Sequence, residues 1–506
     1  MTGYAPLTLQ QLAHVAATWG GAAFGQDVLC TRVVQDSRRV TSGALFAVRP
    51  GQLNDGARYV HAALAQGASG LLIERSEMAG IAAAHAGVPL LVVNDWVAAL
   101  GPVAHAALGY PAQTVNVSGV TGTNGKTTVV GLVRQCLERL GRTAASLGTL
   151  GYEYQGTVRD LGMTTPDADM VAEVFAAARD SGVQELLMEV SSHALSLGRV
   201  DGFRFKSAGY LNITQDHLDF HGTFAAYAAT KRKLFVEDRA ERAVLNIDDP
   251  ELEALSVDVR GKFSAGLICV GRAPSATLKL VSVSTGLSGS EFTVSWAGVN
   301  YAFQTRLLGE HNVSNWLVAL GMLIQRGIDL VDLATVVPTI EPAPGRLQRC
   351  NEVGDDVTVL VDYAHTPDAL ERALLACRAL GPQALWCVFG CGGDRDRGKR
   401  PLMGAIAARL ADRVVVTNDN PRTEDAAAIA AAITEGVGSS PHRVILDRRV
   451  AIAHAINHAQ PGDLILVAGK GHEDYQIFGR DKVHFDDRQE SAVALRTRRL
   501  QAAKQT

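Results

Sequence analysis

The chain has 506 residues, of which 47% are hydrophobic and 20% charged, and it carries a formal net charge of −4. That length exceeds what one hydrophobic core supports and suggests roughly three domains. No basic block follows a nucleic-acid backbone and no apolar run is long enough to span a bilayer, so the expected partners are small molecules, with no nucleic acid, no membrane span and a monomeric chain.

Residues 1–6 lack the basic patch and apolar segment of a secretory signal, which leads us to expect a cytoplasmic location. The seven scattered cysteines then fit reduced thiols, and Cys387 and Cys391 read as core thiols beside a strand because no second pair completes a zinc site. Residues 1–112 mix strand-like runs at 43–48, 70–73 and 89–93 with an alanine-rich helical stretch at 60–68, a small α/β domain ending in a linker at Tyr110-Pro111. A second domain, 113–342, opens with a strand at 114–118 and a helix at 128–139, and repeats the pattern with strands at 185–190, 208–213 and 243–247, implying a mostly parallel sheet. Period-two alternation over 276–296 predicts antiparallel strands at its edge. Pro338, Pro342, Pro344 and Gly345 mark a second linker at 341–344, and 343–506 reads as a Rossmann-like α/β domain with strands at 357–362, 385–389, 413–417 and 464–468.

Between the first strand and helix of the middle domain lies Gly119-Val120-Thr121-Gly122-Thr123-Asn124-Gly125-Lys126-Thr127-Thr128. A glycine-rich turn feeding a helix N-terminus aims backbone N–H groups at an anion; Lys126 would reach terminal phosphates and the Thr127 hydroxyl a Mg²⁺. Val120 stands where the general phosphate-loop pattern has its first glycine, so the motif specifies phosphate more sharply than a class of nucleotidase, and a purely structural glycine turn is the alternative. Glu189 closes an apolar strand before Ser191-Ser192-His193, a position from which a carboxylate can hold Mg²⁺. Asn212 to Asp219 repeats the arrangement and offers His217 as a metal or phosphate contact, against a strand-end histidine bonded to backbone. Residues 227–235, taken alone, read as the solvated side of a helix.

Together these segments, with His311-Asn312-Val313-Ser314-Asn315 and Asp362-Tyr363-Ala364-His365-Thr366-Pro367, resemble in order and over nearly the whole chain the ATP-dependent Mur ligases of peptidoglycan synthesis. Asp419-Asn420-Pro421-Arg422 and Gly469-Lys470-Gly471-His472-Glu473 resemble the members that add the third amino acid of the peptide. The resemblance implies three domains and transfer of the ATP γ-phosphoryl group to a substrate carboxylate, the acyl phosphate then meeting an amine. It implies a catalytic set of Lys126, Glu189, His217 and Lys231. Thr127 and Glu189 hold one Mg²⁺, while His217 and Lys231, carbamylated to N6-carboxylysine, serve a second; Lys233 is the alternative in that basic run. ATP is expected between the central and third domains, on Gly122, Thr123, Asn124, Gly125, Lys126, Thr127 and Thr128 with Asn312, Arg346, Asp362 and His365, although Asn312 equally reads as a helix cap.

UDP-N-acetylmuramoyl-L-alanyl-D-glutamate is expected on Ser37, the loop 50–56, Thr164, Thr165, Ser191 and Arg199. Arg199 also reads as a surface charge, and Leu197 replaces a residue that is polar in some members. The incoming amino acid is expected to be meso-diaminopimelate, because a fixed cation, Arg422, can pair with the carboxylate that lysine lacks. Asp419, Asn420 and Pro421 present that arginine, Arg395 adds a second contact, and Gly469 and Glu473 hold the distal end. A folylpolyglutamate-synthetase-like ligase and a nucleotide-controlled binding module are the competing readings.

Overall fold

The computed structural model describes residues 5–51, 56–264 and 266–502. They form two compact units, Met1–Ala276 with Val318–Asp329, and Thr277–Leu317 with Leu330–Thr506.

The first unit holds two large sheets and a two-stranded pair, Leu7–Thr8 with Leu29–Cys30. The smaller runs Ala22–Phe24, Leu90–Val93, Gly70–Glu74, Ala44–Ala47, Arg32–Val34, parallel except for the Ala22–Phe24 edge. Ala44–Ala47 and Leu90–Val93 are buried at every residue, as strands covered on both faces must be. In the larger sheet Asn116–Thr121 lies between Glu185–Glu189 and Ser207–Tyr210, all parallel, with Ala144–Gly148 beyond the former and Ala243–Asn246 and Leu267–Gly271 beyond the latter. Gly151–Tyr154 and Thr157–Arg159 turn back as an antiparallel edge. The phosphate-loop strand is therefore central, with a polar strand end on either side.

Polar pairs tie the two sheets together: Gln35 donates through its backbone and side-chain amides to Asp169 at 3.1 and 2.8 Å, and Arg39 pairs with Glu173. Beside them His105, on helix Trp96–Ala107, is 1% exposed and packs against Phe175 and Phe203 at 5.5 and 5.1 Å between ring centroids. Neither ring nitrogen has a hydrogen-bond partner, and burial pushes its pKa from 6.5 to about 3. The folded-state value lies below the unfolded one, so this neutral ring's contribution is complete above pH 6.5 and declines as pH falls toward 3. By pH ~5 about 2 kcal/mol of it is lost. His105→Leu is expected to remove that part of the acid sensitivity, seen by calorimetry as a smaller drop in Tm between neutral pH and pH ~5; an unchanged pH slope would contradict it.

In the second unit Leu278–Gly286, Gly289–Trp296 and Val299–Thr305 form an antiparallel meander in which Phe292 stands opposite Phe303. The alternation over 276–296 corresponds to the first two strands. The third escaped the sequence reading because only Phe303 and Thr305 are buried along it, which leaves little hydrophobic contrast. The other sheet runs Gln348–Arg349, Thr358–Asp362, Leu464–Ala468, Leu385–Phe389, Arg413–Val416, His442–Val444, parallel except at its first strand. Apolar cores cover both of its faces, Leu360, Leu466 and Phe389 on one and Val359, Val467 and Ile452 on the other. The latest strand of this sheet, Leu464–Ala468, thus sits between two earlier ones and brings Gly469 between Asp362 and Gly390. All seven cysteines are free thiols; Cys387 and Cys391 are buried core residues, the latter 3.7 Å from the Met403 sulfur.

Candidate active site

The central strand continues to Thr121 and the following helix, Lys126–Arg139, starts two residues before the predicted position, so the loop itself is only Gly122 to Gly125. Gly125 has φ 91°, a left-handed conformation that only glycine adopts cheaply, and it delivers Lys126 and Thr127 as the first helical residues. Asn212, at the end of the neighbouring strand, clamps this loop: its Oδ1 accepts from the Asn124 N–H at 3.0 Å, its Nδ2 donates to the Asn124 carbonyl at 3.1 Å, and its own carbonyl accepts from the Thr123 N–H at 3.0 Å. Thr123 is held again by Thr214 N–H and the Tyr227 hydroxyl at 3.0 and 3.1 Å. Two side-chain bonds of this kind hold about 2 kcal/mol. Asn212→Ala should therefore weaken nucleotide binding by up to about thirtyfold in a fluorescent-nucleotide titration, and unchanged affinity would remove the clamp's importance.

Lys126 folds over the loop, its ammonium donating to the Gly122 and Thr123 carbonyls at 2.9 Å each. Lys231 donates to the same Gly122 carbonyl at 2.9 Å and lies 5.0 Å from the Tyr227 ring centre. Helix Phe224–Val236 corrects the expectation of a solvated face: Tyr227, Lys231, Leu234 and Phe235 are buried, and Lys231 is only 1% exposed. The run is basic in sequence, but the i, i+4 and i+3 spacing of Tyr227, Lys231 and Leu234 turns this one lysine inward, while Lys233 stays half-buried. Burial, reinforced by the charge of Lys126, depresses the Lys231 pKa well below its ordinary value.

Glu189 is 1% exposed and pairs in register with Val120 of the loop strand. Its carboxylate accepts from the Thr149 N–H at 2.8 Å and the Thr149 hydroxyl at 3.2 Å. Gly148 makes room for it, since a Cβ there would lie 2.3 Å from Glu189 Oε1. The sequence reading missed Thr149, although a Gly-Thr pair at a strand end was the available signal. Thr149 also meets the Thr164 hydroxyl at 3.1 Å, and Thr165 donates to the Glu189 carbonyl at 2.9 Å while accepting from the Ser191 N–H at 3.2 Å. Arg199 donates to the Thr165 carbonyl at 2.9 Å and pairs with Asp167, so it is a tied side chain and not a surface charge. Ser191 Oγ caps helix Ser192–Ser196, which Leu197 ends.

His217 has φ 52° and stacks edge-on with His193 at 4.8 Å; burial lowers its pKa. Among the described residues no three His, Cys, Asp or Glu side chains converge to hold a metal. The hydroxyl of Thr127 and the buried carboxylate of Glu189 are hard oxygen donors that suit Mg²⁺ when phosphate oxygens and water complete the shell. Ser37 opens a short 3-10 turn and is 9% exposed. Of the loop 50–56, residues 52–55 lie outside the described residues.

In the second unit Asn312 is not a cap. It lies inside helix Glu310–Ile324, donating to the Leu308 carbonyl at 2.8 Å and accepting from Asn315 at 3.0 Å. Asp362 ties the turn after its own strand to the segment before strand Gln348–Arg349, accepting from the Ala364 and Leu347 N–H groups at 2.8 and 2.7 Å; burial raises its pKa against the pull of Arg346. Arg346 lies 4.9 Å from the Tyr363 ring centre, and the His365 ring bonds the Tyr363 carbonyl at 2.9 Å.

The strand ends at 390, 419 and 469 gather the remaining residues. Lys470, fully buried, donates to Asp419 Oδ1, Asn420 Oδ1 and Glu473 Oε2 at 3.2, 3.1 and 3.2 Å. Asn420 Nδ2 also donates to Glu473 Oε2 at 3.1 Å. One ammonium against two carboxylates leaves the cluster one negative charge in excess, suited to a cationic amine. Arg422 donates to the Gly393 carbonyl at 2.9 Å, and a Cβ on Gly393 would collide with the Pro421 carbonyl at 1.9 Å, so the 392–395 loop and the Asp419–Arg422 turn are fitted to each other. Arg395 on that loop is exposed. Arg448, paired with Asp487 at 2.7 Å and 0% exposed, bonds the Asn418 and Ala468 carbonyls and fixes both strand ends. Lys470 and Arg448 went unread as organising residues, because no local pattern reveals which distant partner a buried cation will meet.

A phosphate loop on a central parallel strand, a buried carboxylate beside it and a separate α/β unit presenting a cation and carboxylates define a nucleotide-dependent ligase. The Mur ligase middle domain matches residues 120–323 and the Mur ligase glutamate ligase domain residues 345–471. The chain belongs to the Mur ligase family. It is 44% identical over 482 residues to the UDP-N-acetylmuramoyl-L-alanyl-D-glutamate--2,6-diaminopimelate ligase of Parasynechococcus marenigrum strain WH8102, covering 93% of this chain and 96% of that one. The ligase of the same name from Geobacillus kaustophilus strain HTA426 is 37% identical over 499 residues, covering 97% and 99%. A solved structure of a ligase of this name superposes with a TM-score of 0.69 at 32% identity, covering 97% and 99%. The folylpolyglutamate synthase of Mycobacterium tuberculosis complexed with ADP and AMPPCP, at 20% identity, TM-score 0.60 and coverage of 72% and 90%, shares the fold alone.

Proposed function

We infer that this chain joins meso-2,6-diaminopimelate to UDP-N-acetylmuramoyl-L-alanyl-D-glutamate with conversion of ATP to ADP and phosphate, a step of peptidoglycan precursor synthesis. The observation that carries the choice of amino acid is the Asp419–Arg422 turn, where a guanidinium stands with the Lys470–Asp419–Glu473 cluster. A molecule with a carboxylate at one point of its distal end and an ammonium at another matches both charges; lysine supplies only the ammonium.

The substrate carboxylate, with a pKa of ~4.3, is already ionised at neutral pH and needs no general base to attack the γ-phosphorus. As that P–O bond forms, the bond to ADP breaks; the diaminopimelate amine then adds to the acyl carbon, loses a proton, and phosphate leaves. The work left to the protein is neutralising charge where anions approach, which falls to Lys126 and the helix N-terminus behind Gly125. Mg²⁺ would lie on Thr127 and Glu189, with His217 and carbamylated Lys231 serving a second ion, and it supplies charge stabilisation on the phosphoryl oxygens. Lys231 suits carbamylation because its amine is buried against a second lysine. Neutral, it can attack CO₂ and release a proton, and the resulting anion offsets Lys126.

Asn312, Arg346, Asp362 and His365 are assigned to ATP, and Ser37, Thr164, Thr165, Ser191 and Arg199 to the UDP-linked dipeptide. We place the domains at 1–112, 113–342 and 343–506, and the protein in the cytoplasm as a monomer. No helix among the described residues is long and apolar enough to cross a membrane.

The test is phosphate release with product mass analysis. ADP and a UDP-linked tripeptide should form only when the dipeptide, ATP and diaminopimelate are all present. Release that ignores dipeptide and amino acid would instead mark a nucleotide switch.

A further inference from the structure

Tyr475–Phe478 and Asp481–His484 form a two-stranded sheet of their own, whose outer strand is exposed at every residue. A hairpin with a solvated strand adds little to a core. Its inner strand and turn instead grip the Asp419–Arg422 segment at four points. Gln476, 5% exposed, donates its side-chain amide to the Asp419 carbonyl at 2.9 Å, and the Ile477 N–H donates to Asn420 Oδ1 at 3.0 Å. The Arg422 N–H donates to the Ile477 carbonyl at 3.0 Å, and the Gly479 N–H donates to the Arg422 carbonyl at 2.7 Å.

The last two bonds bracket a residue in an uncommon state. Arg422 has φ 52°, a left-handed backbone that a side chain with a Cβ adopts at a cost of about 1–2 kcal/mol. Such a conformation persists where its surroundings over-determine it, and both main-chain groups of Arg422 are held by the hairpin. Rotation of this residue out of the left-handed region would swing the guanidinium off the Gly393 carbonyl. The hairpin in turn depends on its two-residue turn, Gly479-Arg480, where Gly479 at φ 60° supplies the positive angle that matches the twist of the strands.

We propose that the 475–484 hairpin is a specificity clamp: it holds Arg422 in its left-handed conformation so that the guanidinium meets the distal carboxylate of the incoming amino acid. This rests on the reading of the Asp419–Arg422 turn as the amino-acid site. Its residues are positioning residues, acting through Arg422 and touching no substrate.

Gly479→Pro removes one bracket and forbids the positive φ; Gln476→Met removes the grip on Asp419 with little change of volume. Each is expected to raise the KM for diaminopimelate about tenfold while the KM for ATP and for the UDP-linked dipeptide stays within about twofold. In an Arg422→Asn background, where asparagine tolerates the left-handed backbone but has no guanidinium, Gly479→Pro should add less than about twofold. Equal losses toward all three substrates, or additive losses in the Arg422→Asn background, would reduce the hairpin to a stabilising element and overturn the clamp. If the unaltered protein ligates a different amino acid, the diaminopimelate reading falls by itself. The clamp falls with it only if the KM for that amino acid ignores Gly479→Pro.

Discussion

Lys231→Met is expected to lower the ligation rate about 10³-fold while leaving thermal stability equal or higher. The two halves of that result come from one geometry. Lys231 is 1% exposed, shares the Gly122 carbonyl with Lys126, and has no carboxylate bonded to it among the described residues. Its folded-state pKa lies well below the ordinary 10.5, so the stability linked to this amine is present only above that pH and is lost as pH falls through the folded value. At neutral pH the unmodified lysine is therefore a burden on the fold, and methionine of similar length relieves it. A carbamate relieves it too, by setting an anion beside the Lys126 ammonium. Growth in ¹³C-bicarbonate followed by carbon NMR should show a carbamate resonance that Lys231→Met abolishes and a Lys233 variant retains. A Lys231→Met protein that ligates at the parental rate would exclude this lysine from the site.

Arg422→Asn is expected to lower kcat/KM for diaminopimelate about 100-fold, or about 3 kcal/mol, with nucleotide affinity unaltered. Asparagine is the informative replacement because alanine would mix loss of the guanidinium with the cost of φ 52°. Arg422→Lys should recover little, since an ammonium cannot accept a carboxylate at two points or keep the bond to the Gly393 carbonyl in the same plane. Discrimination between diaminopimelate and L-lysine should shrink in parallel, because lysine never used the lost contact. A loss of equal size for both amino acids would mean that Arg422 shapes the turn and does not select the ligand.

Much of the candidate site was proposed from the chain alone because its parts are local. The loop 119–128 declares itself by glycines, lysine and hydroxyls that must be adjacent to do their work, and Asp419–Arg422 likewise carries its stiff turn and its cation within four residues. Where meaning depended on what lies across the fold, the sequence misled or was silent. The run around Lys231 looks solvated, and only the helix face it occupies buries it against Lys126. For Asn312 the sequence left a nucleotide contact and a helix cap open, and only the fold removes the cap, since its side chain is spent on Leu308 and Asn315. Thr149 and Asn212 gain their roles from neighbouring strands, and the 475–484 hairpin gives no signal in its own residues of the turn it holds.

Local chemistry, then, is what the sequence offered unaided: a candidate phosphate loop, strand-end acids, an arginine turn and alternating α/β elements, all read from residues within a few positions of one another. The tertiary structure decided which charges are buried together, which lysine is desolvated and what holds Arg422 in its left-handed state. Desolvation and hydrogen-bond geometry are set by atoms far apart in the chain, and only the packed sheets bring those atoms within a few ångströms.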